Sequence, residues 1–319
     1  MSGPVSILGV GAVFIRERNT EEEKSLEHRL SSAGEALEKA GKRIRLFHRV
    51  EEFAFLAAWD ALKESGIGVP LQDSRAGIVL GVDEGIDGIR ARHSIALRDE
   101  GPGGVSPISF PFTSHNAVTA QVSIGLDIQG ESFTYCMGSL SGAAALGAAK
   151  GMLLEGRASM VLAGGATSIE REFLEGMRLA GLPNAGAERG GACLLLLGFP
   201  GAEYARGGGL TELIGYGVGF GEDSERSAVG ACLSDAGVSF QDIRRVWRAT
   251  TDVSPSWEEW RKGETGPAIR TSSFADMHSA SFPLAVAEAI GEAGRGSGRI
   301  VLIVGGDCLA GSAAALVKA

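Results

Sequence analysis

Four cysteines in 319 residues leave little from which to build a disulfide framework. Cys136, Cys193, Cys232 and Cys308 lie tens of residues apart, in no CxxC and in no zinc-ligand spacing, so the linear sequence carries no metal site. They read as reduced, buried thiols of a cytoplasmic protein. Long apolar runs are also missing. None reaches the roughly 18 residues that a membrane-crossing helix needs, and no membrane partner is expected. The opening "MSGPVSILGVGAVF" lacks the basic n-region and long apolar core of a secretory signal. Positive charge is in deficit: 30 Lys and Arg face 39 Asp and Glu, a net charge of −9. Nucleic acids and anionic membranes would repel such a chain, which excludes broad binding to either. Two local basic runs remain, "GKRIRLFHR" (Gly41 to Arg49) and "DIRRVWR" (Asp242 to Arg248). Each reads first as a solvated helix face or strand edge, and second as a docking patch for an acidic partner.

Glycine is abundant. The 48 glycines are about twice average usage, and they are spread along the chain rather than gathered in a linker. They read as tight turns and close backbone packing. With 44% apolar and 22% charged residues, the composition is that of a globular protein. The length suits two domains or one large duplicated α/β unit.

Strand and helix patterns alternate. "VSILGVGAVF" reads as a buried strand running into a glycine turn, and Thr20 to Arg43 as a charged, solvent-facing helix. Phe47, Val50, Phe53, Ala57 and Ala61 repeat at helical spacing. "RAGIVLGVD" reads as a strand, and the stretch from Glu84 to Phe112 as looser, ending in a loop rich in Gly, Pro and Ser. "SHNAVTAQVSIGLDI" predicts a helix with Ser114 at its N-cap. Glu131 to Cys136 then predicts a strand, Ser139 to Glu155 an Ala- and Gly-rich helix, and "SMVLAGGATS" and "GGACLLLLGF" two more strands. A second half opens near Gly209 with "LTELIGYGVGFG", a capped helix "DSERSAVGACLSDAG" and the strand-loop "DIRRVWRATTD". It closes with the helix "SASFPLAVAEAIGEAG", the strand "RIVLIVGGD" and the terminal strand "SAAALVKA". The halves echo one another: each opens on an apolar strand with G-x-G, and "MVLAGGA" is matched by "LIVGGDC". Such alternation predicts largely parallel sheets. The fold class expected is α/β, a five-layer αβαβα sandwich of two duplicated halves, residues 1–208 and 209–319, with an insertion at about 84–113.

Several motifs are weaker than they look. "GVGAVF" lacks the third glycine of a dinucleotide fingerprint. "DEGIDGIRAR", from Asp83, has acids without calcium-loop spacing. "GSLSG" is not a G-x-S-x-G elbow, because its central residue is Leu140. The tryptophan pair in "SPSWEEWRKGE" reads as packing.

The run "SPISFPFTSHNAVTAQVSIGLDIQGESFTYCMGSLSGAAALGAAKGMLLEGRASMVLAGGATS" (Ser106 to Ser168), with "AAWDALKESGI" and "RAGIVLGV", resembles the thiolase superfamily and, within it, the β-ketoacyl-acyl carrier protein synthases. The likeness extends over nearly the whole chain. It implies a thiolase-like fold and a nucleophile turn between a strand and a helix, whose N-terminus lowers the pKa of a cysteine. It further implies a backbone oxyanion hole, and two histidines and a lysine that serve decarboxylation of a malonyl-carrier.

This sequence departs from that pattern. Where the family reads Thr-Ala-Cys-Ala-Ser-Gly, it has Met137-Gly138-Ser139-Leu140-Ser141-Gly142, so Ser139 takes the cysteine position. Cys136 is expected inside the preceding strand, facing away. The first-histidine loop corresponds to "RATTDVSPSW", with Thr250 near the histidine position, and "RTSSFADMH" offers no lysine. His278 lies near the second-histidine position. In the terminal loop "DCLAGSAA", Leu309 replaces the gatekeeper phenylalanine and Gly311-Ser312 keep the turn.

The candidate catalytic residues are therefore Ser139 and His278, with Met137, Leu140, Thr250, Leu309 and Gly311 as pocket residues. A serine without a base is a weak nucleophile, and Ser139 also reads as a helix cap, His278 and His115 as packing or surface residues. The resemblance implies a ketosynthase-like subunit of a type II fatty acid, polyketide or polyene system, of the chain-length-factor kind, partnering an active ketosynthase. The alternative is a Ser139-dependent acyltransferase or hydrolase, or a malonyl-carrier decarboxylase. The implied partners are an acyl carrier protein, bringing its own phosphopantetheine-linked chain, and a ketosynthase in a heterodimer, or a second copy in a homodimer. No metal and no organic cofactor are implied.

Overall fold

Gly9 and Gly11 do not end the first strand. In the computed structural model β1 runs unbroken from Val5 to Ile15. A Cβ on Gly9 would lie 3.1 Å from the carbonyl carbon of Ala61, and one on Gly11 2.6 Å from Ala61 N. The glycines therefore let helix α2 (Arg49–Ser65) lie directly on the strand. The same device recurs in β6 (Thr211–Gly219), where Cβ atoms on Gly215, Gly217 and Gly219 would meet the backbone of α7 (Ser224–Ala236). The G-x-G repeats are packing sites, and the glycine turn expected within β1 is absent. The structure describes residues 3–16, 20–41, 46, 48–71, 73–181, 188–199, 211–250, 267–307 and 311–319. The proposed boundary near 208, the tryptophan pair, Cys308 and Leu309 lie outside them.

Between β1 and β6 come α1 (Thr20–Lys39), α2, β2 (Ala76–Val82), α3 (Asp87–Glu100), α4 (Asn116–Leu126) and β3 (Ser132–Tyr135). They are followed by α5 (Ser141–Leu154), β4 (Met160–Ile169), α6 (Arg171–Leu179) and β5 (Arg189–Gly198). After β6 and α7 come β7 (Arg245–Arg248), β8 (Ala268–Thr271), a helix here called α8 (Ser281–Ala293), β9 (Ile300–Asp307) and β10 (Gly311–Lys318). The strand order is β3-β2-β4-β5-β1-β6-β10-β9-β7-β8. Its two five-strand halves match position for position, joined where Val5 pairs with Leu213 and Ile7 with Thr211.

Among the described strands, five of the nine pairings are antiparallel, not the largely parallel pattern expected. The link from Asp307 to Gly311 shows why: a parallel crossover needs about a dozen residues, so β9 and β10 can only turn back. Helices α5 and α8 touch both halves of the sheet and form the central layer. Their faces fill one core with Leu146, Met152, Phe282 and Val286. A second core lies under α2 and α4, with Phe53, Phe55 and Val122, and a third under α7, with Val229 and Cys232. Helix, sheet, helix, sheet, helix is the five-layer sandwich anticipated.

Other local readings change. The looser stretch from Glu84 contains α3, and α6 was not anticipated. Helix α1 is not wholly solvent-facing: Leu26, Ala33 and Leu37 form a buried stripe. Ser114 does not cap α4; its hydroxyl donates back to Pro111 O at 3.1 Å. Helix α7 is closed by Gly237 at its C-terminus, while Asp223 makes no side-chain cap. Strand β3 stops at Tyr135, and Cys136 just beyond it is exposed, not a buried strand residue. Cys193 and Cys232 are buried as expected.

Candidate functional site

The carboxyl ends of β2, β3, β4, β7 and β9 converge on one region, the usual place for ligands in α/β sheets. Between β3 and α5 the chain turns at Gly138, whose φ of +58° suits glycine. Ser141 holds this turn: its hydroxyl accepts from Met137 N at 2.8 Å and donates to Gly138 O at 2.7 Å. Helix α5 therefore starts at Ser141 with Leu140 at its N-cap, and Ser139 does not cap it. The Ser139 hydroxyl is half-buried and donates to Gly306 O, at the end of β9, at 3.5 Å. The Gly306 N–H donates in turn to Thr250 Oγ1 at 3.0 Å. Thr250 thus stands behind the turn beside Ser139.

Opposite the turn, the short 3-10 segment His278–Ala280 enters between α5 and β4. Gly142 and Gly165 admit it: a Cβ on Gly165 would lie 2.7 Å from Ser279 C, and one on Gly142 2.8 Å from Pro283 Cδ. The Gly-Gly of β4 is thus a receptor for a neighbouring backbone. His278 sits at φ +40°, a left-handed conformation that a non-glycine residue adopts at an energetic cost and that recurs at functional sites.

Beneath His278 lies Glu84, a residue the sequence reading considered only within a rejected calcium loop. Its side chain is 7% exposed. Glu84 Oε1 is 3.1 Å from His278 Nδ1, and Oε2 accepts from Thr167 Oγ1 at 3.1 Å and Ser279 Oγ at 3.2 Å. The Ser279 hydroxyl has Gly138 O at 3.5 Å as a second acceptor, which links this network to the turn between β3 and α5. Phe173 of α6 stands edge-on to the His278 ring, centroids 6.3 Å apart. The bond to Glu84 raises the His278 pKa above its ordinary value, against the opposing effect of burial. The Glu84 carboxylate therefore holds a proton on Nδ1, the ring nitrogen facing it.

Of the other candidates, Leu140 is 4% exposed and belongs to the central core, with Met137 packed against it. Gly311 opens β10 at φ +109°, close against the Gly219 backbone. The structure thus brings Ser139, Met137 and Thr250 together around the turn, with His278 reaching it through Ser279. Sequence reasoning missed Glu84, Thr167, Ser279 and Ser141. The available signal was "VDEG": two carboxylates directly after a strand with no polar residue.

Glu84→Gln keeps an oxygen for the two hydroxyls but removes the charge. The His278 midpoint is then expected to fall toward or below its ordinary value, read by NMR titration of the five histidine rings. A raised folded-state pKa stabilises fully below the unfolded value and ceases to do so as pH rises through the folded one. The stability gap between wild type and Glu84→Gln should therefore close as pH rises through the wild-type His278 midpoint. A midpoint unmoved by Glu84→Gln would show that Glu84 does not hold this proton.

Two mirrored five-strand halves around a buried helical layer, with a strand-turn-helix site at their carboxyl ends, define the thiolase fold. A family model described as "Beta-ketoacyl synthase, N-terminal domain" matches residues 15–185, more than half of the chain. The chain belongs to the beta-ketoacyl synthase family. The 3-oxoacyl-[acyl-carrier-protein] synthase 2 of Vibrio harveyi is 32% identical over 117 residues, which span 36% of this chain and 28% of that protein. The ishigamide ketosynthase/chain length factor superimposes with a TM-score of 0.72 at 20% identity, over 99% of both chains. A type II PKS acyl-carrier protein in complex with its ketosynthase bound to the hexaketide gives 0.75 at 14% identity, over 100% of both. A beta-ketoacyl synthase from Burkholderia phymatum gives 0.74 at 16%, over 100% of this chain and 99% of that one. At these identities the solved structures speak for the fold.

Proposed function

We propose that this chain is a ketosynthase-like subunit of a type II fatty acid, polyketide or polyene system, acting beside an active ketosynthase as chain length factors do. The observation that carries this reading is the occupant of the nucleophile turn. Ser139 stands there with its hydroxyl directed to a backbone carbonyl, and His278 Nδ1 is committed to Glu84. Thr250, near the position of the family's first histidine, binds backbone instead. Among the described residues, Ser139 and not a cysteine stands at this turn, and a serine without a base is a weak nucleophile. Its ligand is the acyl chain brought by a carrier protein, whose phosphopantetheine arm supplies the thiol.

The edge of the sheet supports a partner. Strand β3 is terminal in the strand order, and Phe133 on it is 41% exposed. An open strand edge with an apolar side chain is a template for pairing, with a ketosynthase or with a second copy.

A second reading keeps chemistry at the site, as Ser139-dependent acyl transfer or hydrolysis or as decarboxylation of a malonyl-carrier. The strained backbone of His278 and its buried carboxylate favour it. Intact mass after incubation with malonyl- and acyl-carrier protein, beside Ser139→Ala, separates the two. The subunit reading expects no covalent gain on this chain, and a stable complex when it is co-expressed with a ketosynthase. An acyl-sized gain abolished by Ser139→Ala would overturn it.

A further inference from the structure

On the far side of Glu84 lies a group of side chains that the acyl site does not use. Strands β2 and β3 are parallel neighbours with Gly81 opposite Tyr135, so the residues just past their ends emerge together. Those residues include Asp83 and Cys136. His115, immediately before α4, faces them. One ligand atom each from Asp83, His115 and Cys136 lies within 4.8 Å of the other two. Bonds of about 2.0–2.3 Å set the ligands of a tetrahedral zinc centre about 3.3–3.8 Å apart, so a shift of about 1 Å would close the group around an ion.

We propose that Asp83, His115 and Cys136 form a binding site for a zinc-type divalent transition metal, with a fourth position open to water or ligand. The imidazole offers one nitrogen for it. His115 Nε2 is 2.8 Å from Asp83 O, a carbonyl that can only accept, so Nε2 carries the proton and Nδ1 keeps its lone pair. A carbonyl gripping the other ring nitrogen is the usual support of a metal-binding histidine. One thiolate, one imidazole and one carboxylate make a borderline-soft donor set of the kind that zinc accepts. Cys136 is exposed, so an ion can enter.

The competing cation is Arg90, whose Nη2 is 3.4 Å from His115 Nδ1 while its Nε donates to Thr113 O at 2.8 Å. Binding requires Nη2 to give way, which sets up a test that structural roles alone would not satisfy.

The full-length chain, stripped with a chelator, is titrated with cobalt(II) and read by thiolate-to-cobalt absorption. One cobalt per chain is expected, displaced by zinc. Cys136→Ser should abolish the absorption, His115→Ala should weaken binding at least tenfold, and Arg90→Gln should tighten it. An absorption that survives Cys136→Ser would place the metal on another thiol and overturn the proposal. So would the lack of any thiolate absorption in the wild type, or weaker binding in Arg90→Gln.

Discussion

Gly165→Ala should lower stability by more than about 3 kcal/mol, at or beyond the upper end for overpacking a core. A Cβ at this position would lie 2.7 Å from Ser279 C and 3.1 Å from Gly142 Cα, and nearer still to Ser279 O. All three are backbone atoms and none can swing aside as a side-chain tip could. Relief requires the 278–280 segment to move away from β4, and with it Ser279, His278 and their bonds to Glu84. The His278 midpoint should therefore shift together with the urea midpoint. Gly230→Ala is the matching control: the residue is exposed in α7 with nothing near its would-be Cβ. It should stabilise by about 0.5–1 kcal/mol, because alanine is the better helix former. Equal small effects at both positions would show that the β4 glycine is not a receptor for the segment.

Asp235→Ala should cost about 3–5 kcal/mol, the usual penalty for leaving one partner of a buried ion pair uncompensated. Lys150 projects from α5 with its side chain only 4% exposed, and its Nζ is 2.5 Å from Asp235 Oδ2 on α7. The same oxygen accepts from Tyr216 N at 3.0 Å, so a single carboxylate ties the central helix to the outer helix and to β6. Lys150→Met should cost less, because Asp235 keeps the Tyr216 N–H and is 23% exposed. The double variant should recover part of the loss, with a coupling of more than about 1 kcal/mol in denaturant titrations. Additive single effects would mean that the pair does not join these layers.

The alternation of buried strands and amphipathic helices was legible because it is local. Periods of two and of 3.6 residues carry it, and the echo of "MVLAGGA" in "LIVGGDC" told of duplication before any coordinate. The position of Ser139 was legible for the same reason, since a strand, a glycine and a small-residue helix adjoin in the chain. Strand direction was not. It depends on whether a connection is long enough to cross over, and the Asp307–Gly311 link is too short. The cysteine reading failed at Cys136 because a strand that ends one residue early leaves its neighbour at the surface.

Glu84 marks the division between the two kinds of information. By itself the sequence determined that a carboxylate pair follows β2, that Ser139 lies between a strand and a helix and that His278 precedes a helix. Only the tertiary structure decided that Glu84 meets a histidine and a serine from the other half of the chain, and that Asp83 turns to His115 and Cys136 instead. Those meetings depend on which strands neighbour one another and on glycines that let backbones approach. Both are set by packing between segments far apart in sequence, which no local period records.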